Sequence, residues 1–123
     1  MFIILHPSSQ SKFSKLQTID FESKSTKHVL DISGTIVDIV DIGETIYITN
    51  AEDGFLYEVD YVRAKIIKKH RVGKMPNNIV CSGEKIYITD TGDDSILVFS
   101  HKDKKILSKI KVGLEPSGLN LIE

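Results

Sequence analysis

The sequence predicts an all-β fold built from repeated antiparallel sheets, and three observations support this prediction. The sequence repeats itself at an offset of 40 residues. Short runs rich in β-branched residues alternate with turn-forming Gly, Asp, Asn and Ser. No segment carries apolar residues at helical spacing over a length that would favour a helix. A chain of 123 residues with 41% hydrophobic and 27% charged residues has the composition of one globular domain.

The repeat is strongest over one short segment. Residues 43–50 read Gly-Glu-Thr-Ile-Tyr-Ile-Thr-Asn, and residues 83–90 read Gly-Glu-Lys-Ile-Tyr-Ile-Thr-Asp. Between residues 34–73 and 74–113, 14 of 40 positions are identical without a gap. A repeat of this length is typical of stacked or radial arrays, in which each unit buries its faces against its neighbours. Equivalent residues of successive units are therefore expected in equivalent environments.

Each unit is predicted to form four short strands. In the third unit the strands are predicted at residues 79–81, 85–89, 95–100 and 104–112. The middle two strands are apolar on both faces, which predicts burial on both sides by neighbouring sheets. The fourth strand carries Lys105, Lys109 and Lys111, as expected of an outer strand that lysines protect from edge pairing. Four short antiparallel strands in about 40 residues are typical of a β-propeller blade.

The predicted organisation is a single domain with about three blades' worth of strands. Residues 1–33 supply the second to fourth strands of a first blade, residues 34–73 and 74–113 form two whole blades, and residues 114–123 form the inner strand of a further or exchanged blade. Because propellers generally have 4–8 blades, the ring in one chain is incomplete. The chain is then part of a larger propeller, or two copies form a homodimer that completes a six-bladed ring by exchanging inner strands. An open stack of three blades is the remaining alternative.

These motifs resemble the YVTN/NHL-type β-propeller repeat family. In that family a Val-Gly-x-x-Pro motif leads into the inner strand, and a Tyr-Val-Thr-Asn-like second strand follows. Residues 72–79 and 112–119 resemble the first motif, and residues 46–50 and 86–90 resemble the second. The resemblance implies a propeller fold whose ligands bind where loops from several blades meet beside the channel. Residues 32–36, which lead into the second blade, depart from the pattern because they lack the proline.

The start of the inner strand is the predicted ligand-binding position. The candidates are Asn77, Asn78, Ser117 and Gly118. A structural role is the alternative, because Asn or Gly after a proline favours the turn into the strand. Asn50 and Asp90, which end the second strands, are predicted to hydrogen-bond turn amides.

No catalytic constellation, metal site or cofactor is predicted. The four histidines share no metal-ligand spacing and are predicted on the surface or in turns: His6, His28, His70 and His101. Three hairpin aspartates could contribute to a calcium site, but turn formation is the favoured role: Asp53, Asp93 and Asp94. The single cysteine, Cys81, excludes an intrachain disulfide and is predicted to be a small buried hydrophobic residue.

The predicted function is a non-catalytic binding or scaffolding module, with a protein or small-molecule ligand at the propeller face. The alternative is part of a propeller enzyme, such as a lactonase-like member, with its active site at the channel mouth. A net charge of -1 argues against nucleic acid as a partner. No stretch approaches the roughly 20 apolar residues of a membrane span. The lack of a signal-peptide pattern predicts a cytoplasmic location, unless the chain is a fragment.

Overall fold

The computed structural model describes residues 2–7, 13–113, 118–120 and 122, with the backbone alone for residues 2–7. These residues form three antiparallel sheets. Sheet one contains β1 (Phe2–Pro7), β2 (Phe13–Asp20) and β3 (Ser25–Ser33). Sheet two contains β4 (Ile36–Ile42), β5 (Thr45–Asn50), β6 (Phe55–Asp60) and β7 (Lys65–Arg71). Sheet three contains β8 (Pro76–Ser82), β9 (Lys85–Asp90), β10 (Ser95–Ser100) and β11 (Lys105–Lys111). The predicted all-β fold is confirmed.

Within each sheet the strands follow one another in chain order. Sheet one has three strands, and in the described part of the chain no strand pairs with the free edge of β1. Sheets two and three each begin with an inner strand, β4 or β8, that has no counterpart in sheet one. Among the described residues, no helix is long and apolar enough to cross a membrane.

One turn recurs in all three sheets, between the last two strands. The equivalent residues of the three turns are Lys24, Ala64 and Lys104, which lie 40 residues apart. Their φ values are 56°, 55° and 59°. The left-handed conformation is uncommon for residues other than glycine. Its recurrence at one position of the repeat therefore shows that the three sheets share the same hairpin geometry.

The first core cluster lies between sheets one and two. Sheet one contributes Leu16, Val29 and Ile32, and sheet two contributes Ile36, Ile46, Ile48, Tyr57 and Val59. Full burial of one such side chain stabilises the fold by roughly 1.5–3 kcal/mol relative to its exposure. Sheet one is therefore held to sheet two by apolar contacts along β2, β3, β5 and β6.

The second core cluster lies between sheets two and three. Sheet two contributes Tyr47, Leu56 and Val72, and sheet three contributes Ile79, Ile86, Ile88, Leu97 and Phe99. Successive side chains of a strand point to opposite faces, so Tyr47 lies in this cluster while its neighbours Ile46 and Ile48 lie in the first. The predicted burial of the middle strands on both faces is thus realised in sheet two, which has a neighbour on each side.

One buried carboxylate binds the backbone of the link between sheets two and three, residues 72–75. Asp90 Oδ2 accepts a hydrogen bond from the amide of Lys74 at 3.1 Å, and Asp90 Oδ1 accepts from the amides of Met75 at 2.9 Å and Gly92 at 3.0 Å. A Cβ atom at Gly73 would lie 2.3 Å from Asp90 Oδ2. The glycine of the Val-Gly-x-x-Pro motif is therefore required by the close approach of this carboxylate.

The prediction for this link is that Gly73→Ala lowers the free energy of unfolding by about 2 kcal/mol, because the added methyl group displaces the Asp90 carboxylate. Urea denaturation measures the change. The matched control is Gly113→Ala, 40 residues later, where a Cβ atom would meet nothing within 4 Å. The control is expected to change the stability by less than about 0.5 kcal/mol. Equal losses for the two variants would contradict this account.

Candidate binding surfaces

The predicted ligand-binding residues fall in two places. Asn77 and Asn78 lie side by side near the beginning of β8, and both are half-buried. Gly118 is exposed, and Ser117 lies outside the described residues. The two asparagines are neighbours in the chain, and the described residues do not test a site formed by all four positions.

Two threonines hold the backbone of the asparagines. The Thr49 hydroxyl of sheet two donates to the carbonyl oxygen of Asn77 at 2.5 Å, and the Asn78 amide donates to Thr89 Oγ1 at 2.9 Å. Both threonines are fully buried and lie 40 residues apart. They occupy the Thr position of the Tyr-Val-Thr-Asn-like motif, so this part of the motif positions the inner strand. Among the described residues, the side chains of Asn77 and Asn78 have no hydrogen-bond partner.

An aspartate connects the inner strands of sheets two and three. Asp38 Oδ1 accepts from the amide of Ile39, and Asp38 Oδ2 accepts from the amide of Ile79, both at 2.9 Å. Asp38 precedes Asn78 by 40 residues and has the same relation to its own threonine, since the Asp38 amide donates to Thr49 Oγ1. Sequence reasoning missed this contact. The signal that could have found it is the polar residue shared by the two units at this position.

The residues that end the second strands have the predicted turn role and an additional one. Asn50 Oδ1 accepts from the amide of Glu52 at 3.1 Å, as predicted. Asn50 Nδ2 also donates to the carbonyl oxygen of Ser33 at 2.7 Å. Asn50 and Asp90 thus each bind the link that precedes their own sheet, which joins consecutive sheets through the backbone.

A polar cluster, buried apart from its exposed lysine, crosses the outer part of the junction between sheets two and three. It consists of Tyr47, Glu58 and His70 from sheet two and Lys104 from sheet three. His70 Nε2 donates to Glu58 Oε1 at 3.0 Å, and the Lys104 ammonium lies 3.2 Å from Glu58 Oε2. The same ammonium donates to the Tyr47 hydroxyl at 2.6 Å and lies 5.3 Å from the centre of the Tyr47 ring.

The placement of His70 corrects the prediction of surface or turn histidines. Its side chain is buried because its position on β7 faces sheet three, where its ring lies 4.9 Å from the Phe99 ring. Its hydrogen bond to Glu58 satisfies the buried ring nitrogen. No histidine motif in the sequence indicated this contact, because the partner carboxylate comes from the neighbouring strand.

The electrostatics of the cluster favour a charged Glu58. Burial raises the pKa of Glu58, but hydrogen bonds from His70 and Lys104 outweigh burial and hold the pKa below its ordinary value. Burial lowers the pKa of Lys104, whereas its contacts with Tyr47 and Glu58 raise it, with a net increase. Burial is also the main cause of the raised pKa of Tyr47. The cluster is therefore an ion pair with two hydrogen-bonding neighbours, and it joins the two sheets.

Asp53 makes contacts within its own hairpin, whereas Asp93 pairs with lysines of the neighbouring strand β11. Asp53 Oδ1 accepts from the amide of Phe55 at 3.0 Å, and its other oxygen binds the Tyr57 hydroxyl. Asp93 pairs with Lys109 and, at 3.0 Å, with Lys111. Over the described ranges, no group of three His, Cys, Asp or Glu side chains is close enough to hold a metal ion.

The lone cysteine is half-buried and packs against the second core cluster. Burial is the first cause of the raised pKa of the Cys81 thiol, and the charge of Asp41 adds to it. A raised pKa disfavours the reactive thiolate.

Solved structures with the same fold are β-propeller-type proteins. Apo AztD from Citrobacter koseri matches with a TM-score of 0.69 and 21% identity, over 92% of this chain and 36% of that chain. A second structure of Citrobacter koseri AztD matches with a TM-score of 0.71 and 21% identity, over 100% of this chain and 37% of that chain. Hydrazine synthase of Kuenenia stuttgartiensis matches with a TM-score of 0.72 and 19% identity, over 91% of this chain and 36% of that chain.

At these identities the likeness establishes the fold alone. The sequence matches no known family profile, and no curated protein is similar to it at a significant level. The sheets and these neighbours define the chain as a β-propeller-type repeat protein that spans 36–37% of the length of the solved structures.

The polar cluster predicts a specific acid sensitivity. Because folding lowers the pKa of Glu58 below its ordinary 4.5, its contribution to stability is complete above that pH and is lost as the pH falls further. Glu58→Gln is expected to lower the free energy of unfolding by about 2 kcal/mol at neutral pH. The same substitution should flatten the decline in stability between about pH 5 and about pH 3. Urea denaturation across this pH range measures both effects.

The control for this experiment is Glu44→Gln, which removes an exposed carboxylate at the end of sheet two. If the two substitutions change the pH profile equally, the Glu58 cluster is not the source of the acid sensitivity.

Proposed function

We propose that the chain is a non-catalytic binding module that forms part of a larger or oligomeric β-propeller through the outer face of sheet three. The observation that carries this proposal is a difference in burial between equivalent residues. Ile110 and Val112 are 51% and 41% exposed, whereas their counterparts at the junction of sheets two and three, His70 and Val72, are 7% and 4% exposed.

The outer face of sheet three is built like a face that receives a neighbour. Tyr87 pairs with Val80 and Val98 as Tyr47 pairs with Val40 and Glu58. Tyr47 is buried, whereas Tyr87 is half-buried, because sheet two has a sheet packed on this side. Apolar surface gains roughly 25 cal/mol per Å² when it is removed from water, so a further sheet at this face would be stabilised by the same contacts.

Asn78 is the proposed hydrogen-bond acceptor for the inner strand of that further sheet. At the existing junction, Asp38 accepts the amide of Ile79. Forty residues later, Asn78 takes the place of Asp38 and Leu119 takes the place of Ile79. An asparagine oxygen accepts a hydrogen bond as a carboxylate oxygen does. The proposed inner strand, residues 114–123, lies partly outside the described residues, and residues 118–120 and 122 carry no strand in this single chain.

The second proposed role is ligand binding at the edge of the molecule where the inner strands begin. Asn77 and Asn78, together with Ser117 and Gly118, are the proposed contacts for a protein or small-molecule ligand. The half-buried amides of the two asparagines support this role, because the donor and the acceptor of Asn77 and the NH2 donor of Asn78 have no partner among the described residues. The Asn78 oxygen is the one assigned above to the inner strand.

The test of the assembly role is the mass of the chain in solution, measured by size exclusion with light scattering. The wild-type chain is expected to form a complex heavier than the 13.8 kDa monomer, and Ile110→Asp is expected to return it to the monomer. A buried charge without a partner destabilises the interface strongly.

The control is Val62→Asp, which places the same charge on an apolar residue that is exposed in the turn between β6 and β7. It is expected to leave the mass unchanged. A wild-type chain that stays monomeric, or an Ile110→Asp variant that keeps the wild-type mass, would refute the assembly role.

A further inference from the structure

Each junction between sheets brings together two positions of the repeat. The first, which we call the strand position, is on the second strand of a complete sheet and is occupied in sheet two by Tyr47. The second, which we call the turn position, is in the last hairpin of the following sheet and is occupied in sheet three by Lys104. At this junction the Lys104 ammonium lies 2.6 Å from the Tyr47 hydroxyl.

The junction between sheets one and two has a different pair at these positions. Ile3 pairs with Thr18 as Tyr47 pairs with Glu58, so Ile3 holds the strand position of sheet one. Ala64 holds the turn position of sheet two, with the same left-handed backbone as Lys104. The two positions are thus held by isoleucine and alanine at the first junction, and by tyrosine and lysine at the second.

The outer face of sheet three has a tyrosine at the strand position. Tyr87 is half-buried, and its hydroxyl hydrogen-bonds to no described residue. A sheet that completes this junction in the same way would carry a lysine at its turn position. Sheet one of this chain carries that lysine: Lys24 is exposed and has a φ of 56°, close to the 59° of Lys104.

We propose that sheet three of one copy of this chain binds sheet one of a second copy, with Lys24 of the second copy donating to the Tyr87 hydroxyl. This inference rests on the proposed function and names the partner. Two copies placed in this way form two identical junctions, and their six sheets fall within the range of closed propellers.

The new junction differs from the existing one in its charge. Val98 and Ile110 replace Glu58 and His70, so the lysine meets a hydroxyl and an aromatic ring without a carboxylate. An ammonium is attracted to the face of a tyrosine ring, and its hydrogen bond to the hydroxyl is charge-assisted. The outer face of sheet three is therefore expected to select a partner that offers one cation for Tyr87 and apolar side chains for the rest of the face.

The experiment is a double-mutant cycle on self-association, measured by analytical ultracentrifugation of the full chain. Lys24→Met removes the ammonium and keeps the length of the side chain, and Tyr87→Phe removes the hydroxyl. Each is expected to raise the dimer dissociation constant by roughly tenfold, and the double variant should be little weaker than either single variant, because both remove the same contact.

The matched control is Lys27→Met, which removes an exposed lysine of β3 opposite Thr18, on the side of sheet one that faces sheet two. It is expected to leave the dissociation constant unchanged. Additive effects of Lys24→Met and Tyr87→Phe, or equal effects of Lys24→Met and Lys27→Met, would overturn the Lys24–Tyr87 contact.

The outcomes also separate the two proposals. If Ile110→Asp abolishes the complex while the Lys24 and Tyr87 substitutions are uncoupled, the outer face of sheet three binds a partner in another manner. If the wild-type complex is larger than a dimer, the two-copy ring is wrong. A wild-type chain that remains a monomer overturns both proposals.

Discussion

The architecture depends on the burial of both faces of the same short strands. Ile46 and Ile48 face sheet one, whereas Tyr47 between them faces sheet three, so β5 contributes to two cores. A strand of this kind is less stable at a surface that faces water on one side, because the apolar side chains of that side are exposed. Each sheet is therefore stabilised by a neighbour. This explains why the sheets stack and why the outer face of sheet three is an apolar surface that a further sheet could cover.

Polar contacts determine how the sheets are placed on one another, whereas apolar contacts supply most of the attraction. Thr49 and Asp38 bind the backbone of β8, so the inner strands are held in one register by hydrogen bonds that cross the junction. The Glu58–Lys104 pair joins β6 to the turn between β10 and β11 in the same way. Because the Glu58 carboxylate of this pair is buried, the pair contributes little net stability after desolvation, but a wrong neighbour would leave that carboxylate without its cation. We infer that this cluster makes the junction of sheets two and three specific.

The repeat made most of the fold predictable, because strand length, turn chemistry and the two-faced apolar pattern recur at equivalent positions. The turn role of Asn50 and Asp90 was predictable for the same reason, since both contacts are local. The burial of His70 was not predictable, because the residue faces another sheet and its partner lies on a neighbouring strand. The Asp38 contact was missed for a similar reason, since its partner amide is 41 residues away along the chain.

The sequence by itself determined where the strands and turns form and that each sheet has two apolar faces. These properties depend on residues close together in the chain. The tertiary structure decided which copy of a repeated position is buried, as the pairs Tyr47 and Tyr87, and Val72 and Val112, illustrate. Identical residues differ in burial because the covering atoms belong to the neighbouring sheet, and a local pattern does not specify whether that neighbour is present.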